Sequence, residues 1–137
     1  MLRTMRLVAL MTLALLAGCA AQIRSDSLTN TLKAYASTLR WGDFASAAQF
    51  VAPATLQAHP LTNLDMARYQ QVRVTDYNDD AGPVPMSDTE VRQSVRISLV
   101  NVNTQAERTI IDNQIWQYDA ASKHWWLASG LPDITRQ

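Results

Sequence analysis

The residues able to do chemistry are few, and the first to weigh is the single thiol, Cys19. Ala17 and Gly18 stand directly before it, small enough for a protease to approach the backbone. One cysteine excludes an internal disulfide and a thiolate metal cluster. The two histidines, His59 and His124, lie far apart without a helical His-x-x-x-His spacing, so the zinc pattern fails. Asp76, Asn78 and Asp80 occupy the first, third and fifth positions of a calcium-type loop, where hard oxygen ligands belong. Ala81 stands where that loop needs glycine, however, and Ser87 where it needs a bidentate glutamate. A polar Asp/Asn/Gly/Pro stretch of this kind reads as a solvated hairpin loop. Four glycines and no Gly-x-Ser-x-Gly elbow or glycine-rich phosphate loop leave neither a metal nor a cofactor expected.

Aromatic residues form a second cluster near the C-terminus: Trp116, Tyr118, Trp125 and Trp126. Trp125 and Trp126 must face opposite sides of a regular strand, so one can enter a core while the other stays at the surface. The ordinary role is cross-strand packing. The functional alternative is a partner-binding edge made by Trp116, Trp125 and Trp126. Arg92 and Arg96 share a strand face with Ser94 and Ser98, which reads as a solvated sheet face able to meet an anionic partner.

Twelve Lys+Arg balance twelve Asp+Glu over 137 residues, and 47% of residues are hydrophobic. That excludes a disordered charged tail and a polycation built for nucleic acid. The start of the chain stands apart. Arg3 and Arg6 are followed by an apolar stretch from Leu7 to Ala17, broken only by Thr12. Such a run falls short of the ~20 helical residues that cross a ~30 Å hydrocarbon core. A basic start, a short apolar middle and a small-residue end are the three parts of a secretory signal peptide.

Leu16-Ala17-Gly18-Cys19 resembles the lipobox of bacterial lipoproteins. The resemblance implies cleavage before Cys19, a diacylglycerol on its thiol and acylation of the new amino group. Each buried CH₂ contributes ~0.8 kcal/mol and stable anchoring takes two membrane signals, so several acyl chains together hold a protein essentially permanently. Ala20 is not the aspartate that retains many such lipoproteins at the inner membrane. The expected location is therefore the cell envelope, lipid-anchored at the outer membrane and facing the periplasm. The rival is a short buried helix with an inert core cysteine.

The expected organisation is a signal peptide over 1–18, a lipidated tether over 19–26 and a single α+β domain over 27–137. Cleavage leaves 119 residues with ten basic against twelve acidic side chains, a net −2. Leu28, Leu32, Tyr35 and Leu39 recur at helical spacing and predict an amphipathic helix over 27–40, capped by Asp26 or Ser27. Gly42 sits where a helix stop wants positive φ. Asp43 reads as the cap of a second helix from Phe44 to about Val51, ended by Pro53. Residues 55–64 read as irregular or as a short turn interrupted at Pro60. From Met66 the period becomes two, through Val72 and Val74, Val91 to Leu99, Ile111 and Ile115, and Trp125 to Ala128. Helices followed by hairpin strands predict an antiparallel sheet of about four strands.

That order resembles the nuclear-transport-factor-two-like, or cystatin-like, superfamily. The helix, its Trp41-Gly42-Asp43-Phe44 hinge into Ala45–Ala48, and a terminal hairpin of Ile115–Tyr118 and Trp125–Leu127 closing at Leu131-Pro132 carry the resemblance. It implies N-terminal helices packed in the concavity of a curved, cone-like sheet. Some members are enzymes, such as ketosteroid isomerase and scytalone dehydratase, which need an acid or base inside the apolar cone. The matching candidates are Asp112, with Tyr35 or Tyr69 as hydrogen-bond donors. The competing reading sends Asp112 to water or to a cross-strand pair with Arg96. The expected function is a non-catalytic binding or accessory module of the bacterial envelope, engaging an envelope protein or small apolar ligand and no nucleic acid. The alternative is a small enzyme or apolar-ligand carrier using the cone cavity.

Overall fold

The structure, a computed structural model, describes residues 1–136, with side chains for residue 1 and for 16–136. Most of the apolar run of the signal-like segment therefore lies outside the described side chains. No helix among the described residues is long and apolar enough to cross a membrane.

Helix α1 spans Leu2–Trp41 and buries Leu32, Tyr35 and Leu39 on one face, the spacing that the sequence sets. The helix expected over 27–40 begins earlier: residues 19–26 lie inside α1, and no cap forms at Asp26 or Ser27. Nothing there breaks a helix: Ala20 and Ala21 favour it, and the Gln22 amide donates to Asp26 one turn later at 2.9 Å. Gly42 stops the helix, but with φ −108° and not a positive angle. The glycine is required by close approach, since a Cβ there would sit 2.7 Å from the Thr38 carbonyl oxygen.

Asp43 does cap α2 (Phe44–Ala47), accepting from the Ser46 amide at 2.6 Å, which holds its carboxyl below the usual range. A 3₁₀ turn, Ala48–Phe50, follows. Pro53 then opens a helix instead of ending one: it is the first residue of α3 (Pro53–Ala58), where its missing N–H costs nothing. Helix α4 (Asn63–Gln70) occupies residues expected to be irregular or extended. Thr62 and Asp65 build a reciprocal capping box that starts it.

The sheet comprises β1 (Val72–Asn78), β2 (Val84–Pro85), β3 (Glu90–Asn101), β4 (Glu107–Asp119) and β5 (His124–Leu127). The main order is β1-β3-β4-β5, with the two-residue β2 pairing β3 beyond the end of β1, and every pair is antiparallel. This is an α+β fold: α1 packs against a strongly curled half-barrel of about four strands. The core lies between α1 and the concave face, where Val95, Ile97 and Leu99 of β3 meet Trp116 and Leu127. Tyr35 is central, with Phe50 and Trp116 edge-on at 5.5 and 5.3 Å. Such pairs contribute ~0.5–1.5 kcal/mol each beyond their buried area.

Candidate functional site

Strand phase decides which polar groups enter this core. On β4 the inward residues are Ile110, Asp112, Gln114 and Trp116, while Ile111 faces outward and is 59% exposed. Ile111 and Ile115, which the sequence shows as a period-two run, thus lie on the outward phase. Asp112 neither reaches water on the outer face nor pairs with Arg96: it lies opposite Val95, and Ile111 lies opposite Arg96. Adjacent isoleucines at 110 and 111 fit either phase; Trp116 and the burial of β3 select the one observed.

Asp112, 8% exposed, sits at the end of a polar ladder along one strand face. The Trp116 indole N–H donates to Gln114 Oε1 at 3.1 Å. Gln114 Nε2 donates to Asp112 Oδ2 at 2.8 Å and to the Tyr77 hydroxyl at 3.0 Å. Burial drives the Asp112 carboxyl up to about 6, only partly offset by the hydrogen bond from Gln114. Burial likewise raises the Tyr77 and Tyr35 phenols, Asp112 adding to both, so both stay neutral donors.

Two members of this interior lack partners. The Tyr35 hydroxyl and both amide atoms of Gln93 are buried without a hydrogen bond. Gln93 lies directly opposite Gln114 in the β3–β4 register. An unpaired buried polar group costs ~1–3 kcal/mol, so these are tolerated strain or places where something else binds. Chemically the set can hold one proton near neutrality, on Asp112, and can donate from two phenols.

A β-bulge brings Tyr77 into the set. Val74 pairs with Leu99 and Asp76 with Ser98, so one extra residue intervenes at Thr75. Strict alternation from Val74 would turn Asp76 inward; the bulge turns Tyr77 inward instead. Tyr69, the other candidate donor, is engaged elsewhere. Its ring stacks on Phe44 at 4.5 Å, its hydroxyl donates to the Pro132 carbonyl at 3.0 Å, and burial raises it to about 12.

Part of this set is packed in the core and part borders a cleft. Tyr35 and Trp116 are wholly buried and occupy the concavity. A groove of about 270 Å³ lies elsewhere, between α3, α4 and Ser129–Leu131. A cleft of about 390 Å³ beneath Ala81, Gly82 and Val84 is lined by Arg92, Ser94 and Ile115 and also by Gln93 and Gln114 of the polar set. None of the described clefts takes in Asp112 or Tyr35.

The tryptophans divide as alternation requires. Trp116 and Trp125 are buried, while Trp126 is half-buried and lies 4.3 Å from the His124 ring. In the Asp76–Gly82 stretch, Asp76 and Asn78 belong to β1, and the Asn78 amide donates to Asp80 at 2.8 Å. Cys19 is exposed on α1. Compared with models of known families, with curated proteins and with solved structures, the chain finds no match.

Sequence reasoning names Asp112, Tyr35 and Tyr69 but misses Gln93, Gln114 and Tyr77. Gln93 carries a usable signal, since it interrupts the buried phase Val91-x-Gln93-x-Val95-x-Ile97. Gln114 follows from Asp112 by the same period of two. Tyr77 has no such signal, because the bulge is set by the partner strand.

Proposed function

We propose that the protein is a lipid-anchored, non-catalytic binding or accessory module of the bacterial envelope, held at the outer membrane and facing the periplasm. The carrying observation is Cys19: it ends a Leu16-Ala17-Gly18 stretch and stands exposed on a helix that runs on into the core. The full burial of Tyr35 and Trp116 and the absence of Asp112 from the described clefts support a non-catalytic role. Cys19→Ser should move the protein from the membrane to the soluble fraction, and mass spectrometry of the native protein should find acyl chains at residue 19. Unchanged fractionation of the serine variant would defeat the proposal.

One observation favours a second reading, a small enzyme or apolar-ligand carrier. Asp112 lies among Gln114, Tyr77 and the unpartnered Tyr35 and Gln93, an arrangement costly for packing alone. Saturable quenching of tryptophan fluorescence by an apolar ligand, weakened by Asp112→Asn, would support the carrier. Linear, unsaturable quenching that the substitution leaves alone would remove it.

A further inference from the structure

We infer that the end of the domain nearest Cys19 is a lipid-contacting rim, with Val84 and Met86 resting on the surface of a zwitterionic phospholipid membrane. The inference rests on the lipid-anchored reading above. Its basis is the shortness and fixed direction of the link between anchor and domain. Arg24 follows Cys19 by five positions within the unbroken α1, a rise of ~7–8 Å at ~1.5 Å per residue. Arg24 is fastened to the sheet: its carbonyl accepts from the Trp125 indole N–H at 3.1 Å, and its guanidinium lies 6.0 Å from the Tyr118 ring centre. The acylated end of the helix is thus bound to the β4–β5 hairpin and cannot swing the domain far from the bilayer.

The same end of the sheet carries exposed apolar side chains. The Tyr118 amide donates to the Thr89 carbonyl at 2.9 Å, and the Met86 amide donates to the Glu90 carbonyl at 2.8 Å, so Met86 lies beside this hairpin. Val84 pairs with Arg92 one step further along. Val84 and Met86 are 56% and 54% exposed, and Ile23, four residues from Cys19, is exposed as well. The opposite end, at Asn101 and Glu107, stands a full length of β3 away.

Charge selects the kind of lipid. Asp26, Asp88 and Asp119 lie at this end, against Arg24 and Lys123, while Arg92 is already paired with Glu90 at 3.1 Å. An excess of acid is repelled by an anionic surface and tolerated by a zwitterionic one. The rim therefore adds contact to the acyl anchor without acting as an electrostatic membrane sensor.

The test uses the full acylated protein carrying Met86→Cys, nitroxide-labelled and reconstituted in phosphatidylcholine vesicles. Val102→Cys, in the turn at the far end, is the reference. Collision with a water-soluble nickel chelate should be several-fold weaker at 86 than at 102, and this protection should decrease when anionic lipid is mixed in. Equal exposure at 86 and 102, with acyl chains found on Cys19, would overturn the rim alone. Absence of acyl chains on Cys19 would overturn the anchored reading and the rim together.

Discussion

Asp112 is the group whose removal says most about this interior. Burial raises its carboxyl from the ordinary aspartate value of 3.8 to about 6. A raised acid pKa means that the folded state holds the proton more tightly than the unfolded state. Stability is therefore fullest below the unfolded value and is lost as pH rises to the folded value. A rise of this size is equivalent to about 3 kcal/mol, of which more than about 2 kcal/mol disappears between pH 4 and pH 7. Asp112→Asn keeps the shape and the acceptor for Gln114 but cannot ionise. The difference in unfolding free energy between variant and parent should accordingly grow in favour of asparagine by about 2 kcal/mol from pH 4 to pH 7. Urea unfolding, followed by tryptophan fluorescence across that range on the Cys19→Ser background, measures it. Asp43, Asp65, Asp119 and Asp133 have lowered values and titrate alike in both proteins, so they cancel from the difference. A pH-independent difference, or an asparagine variant weaker at pH 7, would refute the claim that the carboxylate is buried at a cost.

Three further substitutions probe separate parts of the fold. Tyr35→Phe removes a buried hydroxyl with no partner and should leave stability unchanged or raise it by up to about 1 kcal/mol; a comparable loss in urea unfolding would mean the hydroxyl is satisfied. Gly42→Ala drives a Cβ against the Thr38 carbonyl, and thermal unfolding should register about 1–3 kcal/mol of destabilisation. Thr62→Ala breaks the capping box of α4 and should cost about 1 kcal/mol. Hydrogen exchange should then speed first in Asn63–Met66, and uniform acceleration throughout α4 and β1 would argue against a local cap effect.

Local signals locate most elements. The stripe of Leu32, Tyr35 and Leu39 is legible because helical spacing is written into the residues that make it. So are the Asp43 cap and the alternation through Val91, Val95, Ile97 and Leu99. Helix α4 is hidden although Thr62-x-x-Asp65 is a helix-start signature, because its apolar residues are too sparse to show a period. Pro53 misleads because proline ends one helix and begins another with equal ease, and only the neighbouring chain decides between them.

By itself the sequence determined a single-thiol chain, helices before strands, and a sheet alternating apolar and polar side chains. These are properties of residues within a few positions of each other. Tertiary structure decided which face of β4 is inside, and with it that Asp112 and Gln114 are buried while Ile111 is exposed. It also decided that a bulge opposite Ser98 and Leu99 delivers Tyr77 to Gln114. The physical reason is that a strand's period of two fixes alternation but not phase. Phase is set by the neighbouring strand and by the helix that fills the concavity.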